Sequence, residues 1–154
     1  MNWRHRLILP ALLLAALSHW PQADGVGVDA SEPALAVARD NAQSCGLSDR
    51  ARILHADWRV PGWSQGIGGP FDLVLANPPY SIKKWNRGAW EQDAWGRNFL
   101  GTPPQGRADY AFFQHILSSM NPRTGRCAIL FPHGVLFRGS SEGVIRQYLI
   151  EKMN

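Results

Sequence analysis

The chain has little cysteine, and its two residues, Cys45 and Cys127, stand far apart. They are too few and too isolated for a disulfide framework or a thiolate zinc site. They are expected to be reduced packing residues of an intracellular, cytoplasmic protein. No apolar run reaches the roughly 18 residues of a membrane span, so no membrane association is expected. His115 and His133 lack partners at metal-ligand spacing, which leaves a helix histidine and a turn histidine and no metal site. Internal repeats and low-complexity tracts are absent as well. At 154 residues, 45% hydrophobic and 18% charged, the composition is that of one globular domain with a real core. A net charge of +4 is compatible with an anionic partner.

What is present centres on one stretch. Phe71-Asp72-Leu73-Val74-Leu75-Ala76 predicts a buried strand, and it runs without a spacer into Asn77-Pro78-Pro79-Tyr80. Two prolines cannot continue a ladder. Asn77 therefore falls at the carboxyl edge of a sheet, where open α/β folds bind ligands. A conjugated NH2 group is a poor nucleophile because its lone pair is delocalised. The Asn77 side-chain oxygen and the Pro78 carbonyl are two acceptors that can hold such a group and push it toward pyramidal geometry. The prolines fix the backbone that presents the carbonyl, and the Tyr80 ring can stack on a flat substrate. An ordinary strand-ending turn is the competing reading.

Upstream, Met1-Asn2-Trp3-Arg4-His5-Arg6 and the apolar residues 7–17 have the build of a secretory signal. A core helix is the alternative and the expectation, because Gly25-Val26-Gly27-Val28 reads as the strand that follows it. Residues 12–19 carry the helical pattern, with Pro10 tolerable only near the first turn. Asp29, with Ala30 behind it, lies at the carboxyl edge of that strand. In nucleotide-binding α/β folds an acid there accepts from ribose hydroxyls; a helix-capping or loop aspartate is the competing reading. Ser31 is the predicted N-cap of a helix with Pro33 in its first turn, Leu35, Ala38 and Ala42 on one face, and Gly46 as its stop. Residues 51–55 form the next strand, followed by Asp57 and Trp58. These two suit an adenine amino group, or equally a solvated acid beside a packing ring. Gly66-Ile67-Gly68-Gly69 is no phosphate cradle, since no helix is expected to follow it.

Residues 81–107 form the longest stretch without periodicity and are expected to be a loop. Five cations, Lys83, Lys84, Arg87, Arg97 and Arg107, face two anions, Glu91 and Asp93, a net +3 of the chain's +4. Trp85, Trp90, Trp95 and Phe99 are interleaved with them, a composition suited to phosphate contacts and base stacking. Lys83, Lys84, Arg87 and Arg107 are the candidate nucleic-acid contacts. A loop that folds its tryptophans onto its own domain is the competing reading. Beyond it, residues 109–120 predict a helix with Tyr110, Phe113 and Leu117 on its apolar face. Residues 127–131 predict a buried strand stopped by Pro132, 134–143 a glycine-punctuated loop and 144–153 a closing helix. Alternating strands and helices with acids at strand ends predict a doubly wound α/β sheet over residues 1–154.

Two family resemblances meet at the Asn-Pro-Pro-Tyr turn. ANPPYSIKKW, TPPQGRADYAFFQHIL and PHGVLFRGSSEGVIRQYLIE resemble the modification subunit of type I restriction–modification systems, which are N-6 adenine DNA methyltransferases. That family usually has Asn where His133 stands. LLLAALSHWPQADGVGVDASEPALAVARDNA and LSDRARILHADW resemble the release-factor glutamine methyltransferases, which share the turn. The resemblance implies a Rossmann-like methyltransferase sheet and S-adenosylmethionine as methyl donor. It implies ribose binding at Asp29 and Ala30, cofactor-adenine binding at Asp57 and Trp58, and amino-group binding at Asn77, Pro78, Pro79 and Tyr80. DNA is the implied substrate, with specificity and restriction subunits as partners; a release factor is the alternative substrate. Both families place a D-x-G-x-G-x-G strand and turn ahead of Leu12, whereas residues 1–10 read MNWRHRLILP, without glycine. The expected sheet is therefore incomplete, lacking its first strand, and an inactive truncated fragment is a third reading.

Overall fold

The computed structural model describes residues 8–57, 60, 63–80 and 82–152. They fall into two compact units, Met1–Gly68 and Gly69–Asn154. The first contains α1 (Ile8–His19), β1 (Gly25–Asp29), α2 (Glu32–Ser44) and β2 (Ala51–His55). Helix α1 starts earlier than the apolar pattern suggests, with Pro10 in its first turn, where a missing N–H leaves no helix bond unmade. Leu14 and Leu17 are buried with Ala42, Leu47 and Ala51, and Leu13, Ala23 and Ile53 pack against them. The apolar amino-terminal run is thus a core helix; the basic residues 1–6 lie outside the described residues.

Strands β1 and β2 are parallel, in register from Gly25 opposite Ala51 to Asp29 opposite His55. Helix α1 lies close over β1 because two of the strand's residues lack side chains. A Cβ on Gly25 would collide with the Leu13 side chain, and one on Gly27 would sit 3.2 Å from it. Arg50 closes the carboxyl end of α1, donating to the carbonyls of Leu17 at 3.0 Å, Trp20 at 3.2 Å and Ala23 at 2.8 Å. Helix-end carbonyls have no partners within the helix, and the dipole favours a cation beside them. Helix α2 buries Ala34, Leu35, Ala38 and Ala42 and turns off at Gly46, whose φ of +66° is one that glycine adopts without strain. Ser31 has the extended backbone of an N-cap, but its side chain makes no capping bond. The carboxylate of Asp29 takes up the Ser31 amide instead.

The second unit contains β3 (Leu73–Ala76), α3 (Arg87–Glu91), α4 (Asp109–Ser119), β4 (Arg126–Ile129), a 3-10 turn (His133–Leu136) and α5 (Ser140–Lys152). Strands β3 and β4 are parallel, from Leu73 opposite Arg126 to Ala76 opposite Ile129, and a Phe71–Met120 bridge precedes them. Both strands are shorter and less covered than expected, with Leu73 39% and Leu130 51% exposed. Among the described residues each sheet has two strands, so every strand is an edge without the cover a central strand receives. Helix α3 interrupts the stretch expected to be a loop, capped by the Asn86 side chain accepting from the Ala89 amide at 3.2 Å. Helix α5 begins at Ser140, not at 144, and carries Gly143 in its first turn.

In α4 the expected stripe of Tyr110, Phe113 and Leu117 is only partly the buried one: Asp109, Tyr110, Ala111, Gln114 and Ile116 are buried. The core of this unit is Tyr110, Val135 and Ile145, with Leu100, Phe113, Phe131 and Leu149 around it. Cys127 is half-buried and burial pushes its thiol up, whereas Cys45 is exposed. Both thiols are free. Among the described residues, two parallel strand pairs interleaved with helices make a mixed α/β protein.

Candidate functional site

The Asn-Pro-Pro-Tyr turn follows β3 directly. The last ladder bond runs from the Leu130 amide to the Ala76 carbonyl at 3.0 Å. The next residues are Asn77 and Pro78, both half-buried, then Pro79 and Tyr80, both exposed. Pro78 has no N–H, so its backbone presents only an acceptor. The Tyr80 hydroxyl donates to Asn77 Oδ1 at 2.5 Å. An amide oxygen has two lone pairs, so one acceptor position on Asn77 remains.

In the first unit, the carboxyl ends of β1 and β2 bring the predicted acid of each strand to one edge. Asp29 Oδ1 accepts from the Ser31 amide at 2.7 Å, and the Asp29 carbonyl accepts from the Ala56 amide at 3.0 Å. His55 Nε2 donates to the Ala30 carbonyl at 3.2 Å. One bond leaves a carboxylate with acceptor capacity to spare. Asp57 is half-buried two residues beyond β2, and its carbonyl accepts from the Val60 amide at 2.9 Å. Trp58 lies outside the described residues.

Residues 82–107 are pinned onto their own unit. Trp85 Nε1 donates to the Pro104 carbonyl at 3.3 Å and Gln105 Nε2 to the Trp85 carbonyl at 3.0 Å. The buried Gln114 side chain accepts from the Leu100 amide at 2.8 Å and donates to the Gly101 carbonyl at 2.9 Å. Arg97 is the centre of a second attachment. Its guanidinium lies 5.4 Å from the Trp90 ring and 5.0 Å from the Trp95 ring, pairs with Asp93, and donates to His115 Nδ1 at 3.2 Å. The Arg97 hydrogen bonds hold the Asp93 carboxyl below its ordinary range, against the opposing effect of burial. Burial, reinforced by the Arg97 charge and opposed by Asp93, lowers His115 to about 4. Trp85 and Trp90 face the unit itself, while Trp95 is 78% and Phe99 48% exposed.

The four candidate cations differ accordingly. Lys83 and Lys84 are exposed beside the turn. Arg87 pairs with Glu91 at 2.6 Å and donates to the Pro103 carbonyl at 3.1 Å, and Arg107 pairs with Glu142 at 3.3 Å. Asp109 and Glu142 are themselves buried and share Arg138, at 2.8 and 3.2 Å. Asp109 holds the Arg138 guanidinium even more firmly protonated than usual. Sequence reasoning did not reach this network, because Asp109 and Arg138 stand 29 positions apart in the chain. Gln114 carried a signal that periodicity alone discounts: it sits four residues after Tyr110 and three before Leu117, on the apolar stripe.

A family model described as N-6 DNA Methylase matches residues 21–154. The chain is 51% identical over 70 residues to the release factor glutamine methyltransferase of Caulobacter vibrioides, covering 45% of this chain and 22% of the relative. It is 33% identical over 88 residues to the type I restriction enzyme HindI methylase subunit of Haemophilus influenzae, covering 56% of this chain and 19% of the relative. Among solved structures, the type I restriction-modification system methyltransferase subunit of Streptococcus thermophilus matches with a TM-score of 0.78 at 32% identity, over 94% of this chain and 32% of that one. The chain thus spans about a fifth to a third of the length of these proteins. With the match extending from Pro21 through the turn to the last residue, the chain belongs to the N-6 DNA Methylase family.

Proposed function

We propose that residues 1–154 are part of the catalytic domain of an S-adenosylmethionine-dependent DNA adenine methyltransferase of the type I modification-subunit kind. The observation that carries this reading is Asn77, half-buried at the end of β3, with an amide oxygen that has acceptor capacity left and the Pro78 carbonyl next to it. The two oxygens accept the N–H bonds of one amino group, which loosens its lone pair from conjugation. Tyr80 stacks the base, which must leave the duplex to reach the turn. When bound, S-adenosylmethionine supplies an electrophilic methyl group. Asp29 suits its ribose: the carboxylate lies at the strand's carboxyl end with one bond to Ser31 and acceptor capacity left for a hydroxyl. Ala30 would border the same group, and Asp57 with Trp58 would border its adenine. Lys83 and Lys84 are the phosphate contacts of the 81–107 segment; Arg87 and Arg107, already paired, contribute less. Sequence specificity and restriction belong to separate subunits, and the setting is the cytoplasm.

Transfer of labelled methyl groups to adenine-containing DNA and to a release factor, compared side by side, tests the reading. Label in DNA is the expected result. Label in the release factor alone would replace it with glutamine methylation, the reading that the 51% identity to the Caulobacter enzyme favours. Calorimetric titration with S-adenosylmethionine addresses the third reading: no heat of binding would mark an inactive fragment.

A further inference from the structure

Trp95 stands at the tip of a tight turn. The Asp93 carbonyl accepts from the Gly96 amide at 3.2 Å, and Gly96 takes a φ of +66°. Aspartate first and glycine last is the residue pattern that four-residue turns favour. The Asp93 carboxylate, 1% exposed, locks the turn from inside: one oxygen accepts from the Arg97 amide at 2.6 Å and the other from Arg97 Nε at 2.9 Å. Arg97 so held lies over the Trp95 ring, 5.0 Å from its centroid, and 5.4 Å from that of the buried Trp90. A cation over the face of an indole is a favourable contact. An exposed ring that is already ordered loses little conformational freedom when something binds it.

One face of Trp95 is taken by Arg97, and with the residue 78% exposed the other face is open to solvent. Within three positions on either side the chain carries Gln92, Asp93, Ala94, Gly96, Arg97 and Asn98, without a large apolar side chain. Surfaces that dock proteins are contiguous apolar patches. A lone flat ring on a cationic segment matches a nucleotide instead, in which a flat base accompanies each phosphate. Arg87, Arg97 and Arg107 are paired with carboxylates, which leaves the exposed Lys83 and Lys84 to supply the phosphate contacts of the same segment.

We propose that Trp95 is a stacking platform for an unpaired nucleobase other than the one held at the turn of Asn77 and Tyr80. The proposal rests on the function proposed for that turn and adds a second base-binding position to it. Asp93 and Arg97 hold the ring, and its free face takes the base. Every base has a π face, so the platform contributes affinity for unstacked strand and no sequence recognition.

Fluorescence anisotropy tests the platform with a labelled single strand of about 16 nucleotides, the upper range of such binding sites, and with an abasic strand of equal length and charge. At 78% exposure Trp95 can be replaced without disturbing a core, and a thermal melt checks folding. Trp95→Ala should bind the normal strand about five- to 150-fold more weakly, the range for losing one base–aromatic stack. Its salt dependence should equal that of the wild type, because no phosphate contact is removed. The two proteins should bind the abasic strand alike, and Trp95→Tyr should keep most of the wild-type affinity for the normal strand. Equal binding of the normal strand by wild type and Trp95→Ala overturns the proposal. An equal loss on both strands overturns it too, by marking the ring as structural. Both of these results leave the DNA function standing, since the wild type still binds. A wild type that binds neither strand overturns the DNA function and the platform with it.

Discussion

Lowering the pH from roughly 7.5 to 5 is expected to weaken the second unit through His115. The ring accepts a hydrogen bond at Nδ1 from Arg97. Protonation removes that acceptor and sets a second cation against the guanidinium in a largely buried site. The folded value of about 4 lies below the ordinary 6.5. The unfolded chain therefore takes up the proton first. Above 6.5 both states are neutral and His115 has no effect; stability falls as the pH drops from 6.5 toward 4 and then levels off. The gap between the two values corresponds to about 3 kcal/mol in full, of which about 2 kcal/mol is lost by pH 5. Asp93 acts in a different window. Its folded value is depressed, so its contribution is present above 3.8 and is lost only as the pH falls through lower values. Urea unfolding followed by tryptophan fluorescence, for the wild type and His115→Gln at both pH values, isolates the effect. The glutamine oxygen can still accept from Arg97 but cannot titrate. The variant should lose about 2 kcal/mol less than the wild type on acidification. Equal losses in the two proteins would refute the assignment.

Arg138→Met leaves the buried Asp109 and Glu142 without their shared cation, and should cost about 3–5 kcal/mol in denaturant unfolding. Arg107→Met, which removes a half-exposed partner of Glu142, should cost no more than about 1 kcal/mol in the same measurement. Gly125→Ala puts a Cβ 2.5 Å from the Asn121 carbonyl oxygen and 2.7 Å from Met120 Cβ. Backbone must move to relieve it, so the melting temperature should drop visibly. In DNA binding, Lys83→Gln combined with Lys84→Gln should reduce the salt dependence of the affinity by about two counterions. Arg87→Gln should leave that slope nearly unchanged, since Arg87 already pairs with Glu91.

Much of the local structure was legible in the residues. The strand at 51–55, the buried face of α2 and its stop at Gly46 follow from period and turn chemistry, which act over a few neighbours. The turn at Asn77 follows from the prolines, and the family from the strings around it. Helix α3 was hidden because five residues carry too little periodicity to show. The interior of the second unit was hidden for a different reason. Asp109, Gln114 and Glu142 are polar, and whether a polar group is solvated or buried depends on partners far along the chain, such as Arg138 for Asp109 and Leu100 for Gln114.

The sequence by itself determined the kind of elements, the family and the two acceptor oxygens that Asn77 and Pro78 carry, because each depends on residue type and short spacing. Only the tertiary structure decided which charges are available. It paired Arg87, Arg97 and Arg107 with carboxylates and left Lys83 and Lys84 beside the turn without a pairing among the described residues. It also placed the Tyr80 hydroxyl on the Asn77 oxygen. Pairing is a matter of distance in space, and the residues it joins can be neighbours in the turn or 35 positions apart, as Arg107 and Glu142 are.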